Sequence, residues 1–535
     1  MVKGLKLTPV LAAAAGCAAG FYVLNPLFRS GPGMGAVFPV LFAPVAAICF
    51  FRSLAACRAG GFLAPDAAKN AGLRACPGRR FAGLANFYLA AFAAGLALGL
   101  GAGGTIPRGN SYGLPPESLR GLSGVLLEDP GPAAGGKVRA ALSLRESLGA
   151  GGARVSARGS IPVYFPPEAG GRLREFGRGT LIFAEGRLAG YDRGRAETGK
   201  GGGDFFVSET LHVLKPAAAP ERFRTGLRLG LAGRFTRARP PVSVFGKTLR
   251  AGEDWGGLSL ALLLGIRDSL DSGLAGLYRD AGCSYVLALS GMHLAVLAAL
   301  VSFLLKKPLG LKFSALAGAL IISLYCLFVG SLPSLNRAVL MYLLGVLAIL
   351  GALPREPLSL LSLSFLIQLV LSPRSGFSLS FILSYLALAG ILIVGESLCD
   401  IFPGKIPEGL LKPLSASLGA FLVTAPVTVY FFGTLRPAGI LAGLALVPLT
   451  TAFMTVSLAW LPLDLFSPFL SGLLSPLLSL LYGLMEKTVG LAARVPGLAE
   501  MPLVPVTLLS LGLSVFVVCL ASVLRLKRSR MLSFA

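Results

Sequence analysis

Apolar positions in this chain follow two rhythms. From Leu7 to Leu27, Ala36 to Phe51 and Phe81 to Gly104, and again from Cys283 onward, they form long runs with few charges, as a helix crossing hydrocarbon requires. The later runs predict spans at about 283–305, 313–331, 337–353, 357–372, 377–395, 413–433, 438–460, 468–490 and 503–524. Between Thr105 and about Pro220 the pattern changes to short bursts separated by Gly and Pro. Gly121 to Glu128, Val138 to Leu144, Arg154 to Val163, Thr180 to Leu188 and Phe205 to Leu214 have strand length, and five such strands predict a small antiparallel barrel of the OB type. Leu270, Leu274, Leu277 and Tyr278 recur at helical spacing among charges, which predicts an amphipathic helix over Ser269 to Asp280. Leu258 to Gly265 is apolar but too short to span, and is read as interfacial or re-entrant.

The expected fold is therefore a polytopic α-helical membrane protein of about twelve spans with an inserted small all-β, OB-like external domain. Its parts are three N-terminal membrane segments over 1–104, the OB-like domain over 105–220, a basic linker and amphipathic or re-entrant segment over 221–282, the main membrane domain over 283–525 and a basic tail over 526–535. Composition agrees, since 54% hydrophobic and 14% charged residues with a mean hydropathy of +0.74 exclude an ordinary soluble globule. Arg52, Arg58, Lys69, Arg74, Arg79 and Arg80 against Asp66 alone make the 52–80 loop cytoplasmic. Lys306, Lys307 and Lys312, then Lys405 and Lys412, and Arg525, Lys527, Arg528 and Arg530 in the tail fall on that same side. Both termini are thus expected in the cytoplasm of a plasma (inner) membrane protein.

Charge adds a partner class. The chain carries a net +24, and 23 of its 49 Lys and Arg lie between Thr105 and Asp254 against 14 acids, an excess of 23 − 14 = 9 on the external domain. Such a surface attracts polyanions, either nucleic acid or anionic lipid. Tyr164, Phe165, Phe183, Phe205 and Phe206 either stack bases of a single strand or fill the barrel core. The eight cysteines lie outside this domain without a CxxC pair, so neither a disulfide framework nor a zinc site is expected. There is no Walker motif, no GxGxxG after a strand and no histidine cluster, so no cofactor is expected.

The candidate chemistry centres on Ser290-Gly291-x-His293, which holds one of only two histidines, inside an apolar run. An ionisable residue at that position is a functional candidate, as a pore constriction, a proton site or the base of a serine nucleophile; a histidine bonded between helices without a ligand fits the same pattern. Arg337 sits near a helix start, where the macrodipole disfavours a cation, so it points either at an anion or at lipid headgroups. Ser380 and Ser384 repeat at one helical turn and suit close packing or a hydrated wall.

Together, Leu262-Leu263-Leu264-Gly265-x-Arg267, Gly282-x-Ser284, Ala288-x-Ser290-Gly291-x-His293, Pro333-x-x-x-Arg337-Ala338, Pro373 with Gly376-Phe377-x-Leu379-Ser380-Phe381, and Pro426 resemble the ComEC-type competence proteins, which form the inner-membrane channel for DNA uptake in natural transformation. The resemblance implies a channel rather than an enzyme, taking single-stranded DNA, with Arg267, Ser290, Gly291, His293, Arg337 and Ser380 as path or gate residues. Arg154, Arg158, Arg172, Arg174 and Arg178 would be the barrel's DNA-binding edge. Two positions depart from the family, Tyr285 where it has His and Ser378 where it has Gln. Many relatives also carry a C-terminal metallo-β-lactamase-like domain; this chain ends at Ala535, so a separate nuclease is expected, along with a separate DNA receptor and a cytoplasmic motor. The alternatives are a proton-coupled secondary transporter or exporter and, behind it, an intramembrane serine hydrolase. In each case membrane lipid surrounds the chain.

Overall fold

A computed structural model describes Cys17, Ala18 and residues 111–534, apart from 134–135, 190–204, 238–241, 245–246, 250–253, 331, 354, 405 and 500–501. The three expected N-terminal spans lie outside the described residues, except that Cys17 is helical and buried beside Leu361, Phe381 and Ile382.

The Gly- and Pro-punctuated bursts close into a five-stranded barrel. Its strands are β1 (Leu119–Leu126), β2 (Val138–Gly149), β3 (Ser160–Phe165), β4 (Leu181–Ala189) and β5 (Phe205–Lys215). β1 pairs with both β2 and β4, and the circuit closes through β2–β3, a parallel β3–β5 pair and β5–β4. Period-two alternation drives Leu122, Leu142, Ile161, Val163, Phe165, Ile182 and Phe206 inward, where each is fully buried. The burst expected as one strand from Arg154 to Val163 is broken. Arg154–Ser156 pairs with β2, and after Gly159, at φ +124, the chain restarts as β3. Helix α1 (Pro167–Phe176), with Pro at its first turn, lies between β3 and β4; the periodicity had not predicted it.

The 221–282 stretch, expected as a linker, is largely helical. Helix α2 (Ala219–Phe235) carries Arg224 and Arg228 on the face turned toward the barrel. Asp129, between β1 and β2, accepts hydrogen bonds from Nη2 of Arg224 at 2.6 Å and the Arg178 backbone N–H at 3.0 Å, and also pairs with Arg228. Glu221 takes Nη2 of Arg178 at 2.8 Å and Nε of Arg224 at 2.6 Å. Arg224 then donates to the Phe328 carbonyl at 3.1 Å and Arg228 to the Leu264 carbonyl at 3.0 Å, so this cluster ties the barrel to two helix ends of the membrane domain. Burial pushes the Asp129 and Glu221 carboxyls up, but the hydrogen bonds and charges of the arginines outweigh it and hold both below their ordinary values.

Helix α3 (Asp254–Leu264) is buried on every described side, as an all-round apolar helix must be, and its eleven residues make about 16 Å, too short to span. Its described side chains are packed inside the protein, with Trp255 against Phe235 and Trp460. The amphipathic helix α4 (Ser272–Asp280) is capped by Asp271, whose carboxylate accepts from the Leu274 N–H at 2.7 Å.

The membrane domain follows as α5 (Gly291–Val329), α6 (Pro333–Leu350), α7 (Pro357–Leu371), α8 (Leu379–Ile401), α9 (Glu408–Phe432), α10 (Ala438–Phe466), α11 (Pro468–Ala493) and α12 (Leu503–Phe534). Among the described residues six helices are long and apolar enough to cross a membrane, and three shorter apolar ones accompany them, so the protein is a multi-pass membrane protein. Gly310, at φ +73 and two residues after Pro308, divides α5 into two arms. A straight helix would hold Leu294 and Ile322 about 42 Å apart, yet they share one apolar cluster with Val329 and Leu335, so the arms fold back on each other. Further on, α8 and α9 meet backbone to backbone: a Cβ on Gly390 would overlap the Gly419 carbonyl, and one on Gly419 would overlap the Gly390 carbonyl and lie 2.7 Å from the Gly395 nitrogen.

Candidate functional site

The expected span from 283 to 305 starts late. Ser284–Leu287 forms one short turn, Ser290 is extended at φ −131, ψ 176, and helix α5 begins only at Gly291. His293 therefore stands in the first turn of its helix and not halfway down it. The reason is local: the Ser290 hydroxyl accepts the Met292 N–H at 3.3 Å while Nδ1 of His293 accepts the Ser290 N–H at 3.1 Å, a capping box with His where Glu or Gln is usual. Because Nδ1 accepts, the proton of the neutral ring sits on Nε2. That nitrogen is buried in a side chain only 1% exposed and has no hydrogen-bond partner among the described residues. The Ser290 hydroxyl also lies 3.1 Å from Nδ1, but both atoms are engaged as a cap and nothing at Nε2 orients the ring as a catalytic base requires.

Arg337 comes from the second turn of α6, whose start is fixed by Pro333 and by the Ser334 hydroxyl donating 2.8 Å to the Leu289 carbonyl. The guanidinium donates from Nη1 to the Ser384 carbonyl at 2.9 Å, sits 5.9 Å from the Tyr385 ring centroid, and faces Gly291 so closely that a Cβ there would lie 3.1 Å from Nη2. Arg337 is only 8% exposed, its Nε has no partner, and among the described residues no carboxylate pairs with it. The Tyr385 hydroxyl is held in turn, donating to Gln368 Oε1 at 3.0 Å and lying 3.3 Å from the Ser364 hydroxyl. A buried cation thus faces the Gly291 end of α5 on one side and a fixed aromatic ring on the other. That combination suits an anion.

Ser290, Gly291, His293 and Arg337 are brought together by the fold. Arg267 lies nearby but is engaged elsewhere, donating to the Leu287 carbonyl at 3.0 Å. Ser380 is exposed in the first turn of α8, away from the cluster. On the barrel, Arg154 and Arg158 are exposed at its edge, Arg178 is bound to Glu221 and belongs to the junction, and Arg172 and Arg174 fall on α1 with side chains outside the described residues. Gln368 was missed by the motif reading, although a signal existed: it is the sole glutamine of the chain and sits in an apolar run. Ser378, which stands where ComEC-type proteins have Gln, caps α8 by accepting the Phe381 N–H at 3.2 Å.

Comparison with known proteins gives three findings. The family model described as "Competence protein" matches residues 262–528. An "Uncharacterized protein" of Aquifex aeolicus (strain VF5) is 31% identical over 197 residues, covering 37% of this chain and 45% of that relative. "ComE operon protein 3" of Bacillus subtilis (strain 168) is 26% identical over 203 residues, covering 36% of this chain and 25% of that relative. The chain thus spans less than half the length of either, and no solved structure matches it. The matched region contains α5 to α11, most of α12 and every member of the Arg337 cluster, and through residues 262–528 the chain belongs to the Competence protein family.

Proposed function

We propose that the protein is an inner-membrane channel that admits single-stranded DNA in natural transformation, with both termini in the cytoplasm and the barrel receiving DNA outside. The observation that carries this reading is Arg337, a cation buried against the Gly291 end of α5 with no carboxylate paired to it among the described residues. Burying an uncompensated charge costs several kcal/mol, a cost that is offset whenever a phosphate passes. A phosphodiester offers one delocalised negative charge per nucleotide, and Arg337, the α5 N-terminus and the His293 N–H supply donors at a single level of the path. Ser290 and Gly291 shape that level as cap and clearance. Arg267 and Ser380 are placed as outer path residues, and Arg154 and Arg158 as phosphate contacts on the barrel.

The barrel is read as OB-type because its strand order β1-β2-β3-β5-β4, its parallel β3–β5 pair and its helix between β3 and β4 follow that plan. Lys306, Lys307 and Lys312 flank the reversal at Gly310 and support a cytoplasmic side there. A separate DNA receptor, nuclease and cytoplasmic motor complete the system. A proton-coupled transporter would use the same unpartnered His293 N–H as a relay, but it gives the charge of Arg337 no counterpart.

The test is complementation of a transformable strain lacking its own homologue. His293→Ala and Arg337→Ala each lower transformation at least a hundredfold with unchanged amounts of protein in the membrane. Wild-type frequencies from both would sink the assignment.

A further inference from the structure

The barrel's aromatic residues separate into two sets. Phe165 and Phe206 point inward and are fully buried, so the alternation sends Tyr164, Phe205 and Val207 outward, where all three remain half-buried. Register then aligns them. Arg139 on β2 stands opposite Tyr164 on β3, Tyr164 beside Val207 on β5, and Val207 opposite Arg187 on β4. These four side chains form one row across four strands, about 14 Å from end to end at the usual strand spacing. Phe205 borders the row, with its ring 5.4 Å from that of Tyr164 at an interplanar angle of 77°. Arg139 and Arg187 are exposed at the two ends, and neither forms an ion pair with a described residue. The third outward ring, Phe183, is differently placed, because it lies over Gly121, where a Cβ would come 2.9 Å from its Cζ.

We propose that this row is a base-stacking platform for single-stranded DNA, in which Tyr164 and Phe205 take bases and Arg139 and Arg187 hold the phosphates on either side. It rests on the reading of the barrel as the external receiver and names the surface that does the receiving. Three physical points favour this occupant. Edge-to-face rings leave π-surface turned outward, which a base covers and a duplex cannot offer. The cations flank the rings rather than meeting across them, so a strand laid along the row keeps its backbone charge near an arginine at both ends. The barrel region also carries an excess of positive charge, which concentrates a polyanion at its surface. Tyr164 and Phe205 are among the aromatics that the sequence offered for stacking, but Arg139 and Arg187 are not among the arginines it singled out, because the pairing of β2, β3, β5 and β4 is invisible in the linear chain.

The experiment uses the full chain in lipid nanodiscs, titrated with fluorescent oligothymidine at several salt concentrations. Replacing both rings, Tyr164→Ala with Phe205→Ala, weakens binding at least tenfold, within the range expected for base–aromatic stacking. Tyr164→Phe and Phe183→Ala bind as wild type does. Arg139→Ala with Arg187→Ala flattens the slope of log affinity against log salt by about 1.4, two phosphates at about 0.7 each. Wild-type affinity in the double ring variant overturns the platform while leaving the barrel as receiver through another face. Equal wild-type preference for duplex DNA or for vesicles rich in anionic lipid overturns it as well. If the wild-type chain binds no oligothymidine, platform and receiver both fall, and the transformation phenotypes of His293 and Arg337 still decide the channel on their own.

Discussion

Arg224 and Arg228 at one place in this molecule and Arg337 at another are buried to a similar degree and differ in what surrounds them. At the junction of barrel and membrane domain, Arg178, Arg224 and Arg228 share the carboxylates of Asp129 and Glu221, and Arg224 and Arg228 also donate to the Phe328 and Leu264 carbonyls, which leaves Arg228 Nε without a partner among the described residues. Inside the membrane domain, Arg337 has a carbonyl and an aromatic ring but no carboxylate among the described residues. The first group already holds its counter-charges, which an incoming anion would have to displace. The second is open. Burial of a cation is therefore a poor guide to function by itself; the presence or absence of a counter-charge separates a fastening from a binding site.

This contrast can be broken at either end. The largest effect is expected at the fastening. Asp129→Ala leaves Arg224 and Arg228 buried without their shared carboxylate and lowers stability by about 3–5 kcal/mol, read as the unfolding midpoint of the detergent-solubilised protein. A loss below about 1 kcal/mol would show the junction to be solvated and the contrast false.

Acid should reproduce part of that loss. Both carboxyls titrate below their ordinary values of 3.8 and 4.5 in the folded protein, so their contribution is fully present above about pH 4.5 and disappears as pH falls through the lowered folded values. The unfolding midpoint should thus hold steady from pH 7 to pH 5 and drop below pH 4, whereas Asp129→Ala should show a shallower drop. Parallel profiles for the two proteins would assign the acid transition elsewhere. The smallest effect, and opposite in sign, is expected at the open site: Arg337→Met removes an uncompensated charge and raises stability by about 1 kcal/mol while uptake is lost. A fall of more than 1 kcal/mol there would mean that Arg337 is itself a fastening.

Much of this architecture was legible in the chain. The nine apolar runs after Cys283 all overlap helices, with the first two joined in α5, and among the described residues six helices are long and apolar enough to cross a membrane. The strands of the barrel were legible from alternation, and their limits from Gly and Pro. What escaped was helix held by tertiary contacts. The α2 segment contains Gly226, Gly230 and Gly233, a composition that discourages helix, and its arginines look like a basic linker until Asp129 is brought to them from a distant loop. His293 lies in the run expected to span from 283 to 305 but in the first turn of its helix, since Ser290 is an extended N-cap that no proline announces. Of the site itself, Ser290, His293 and Arg337 were visible as residues out of place in apolar surroundings. Their meeting point, and the support of Arg337 by Tyr385 and Gln368, depend on four helices, α5 to α8, coming together and leave no trace in spacing.

The contact of Gly390 with Gly419 has a mechanical meaning. Two helices whose main chains touch, with no room for a methyl group on either side, cannot roll or slip against each other, so α8 and α9 behave as one rigid lever. Ser384, whose carbonyl grips Arg337, rides on that lever. In the channel proposed above, any widening of the path for a nucleotide would be a swing of the pair about its ends, and the guanidinium would feel it directly, as a latch feels the door.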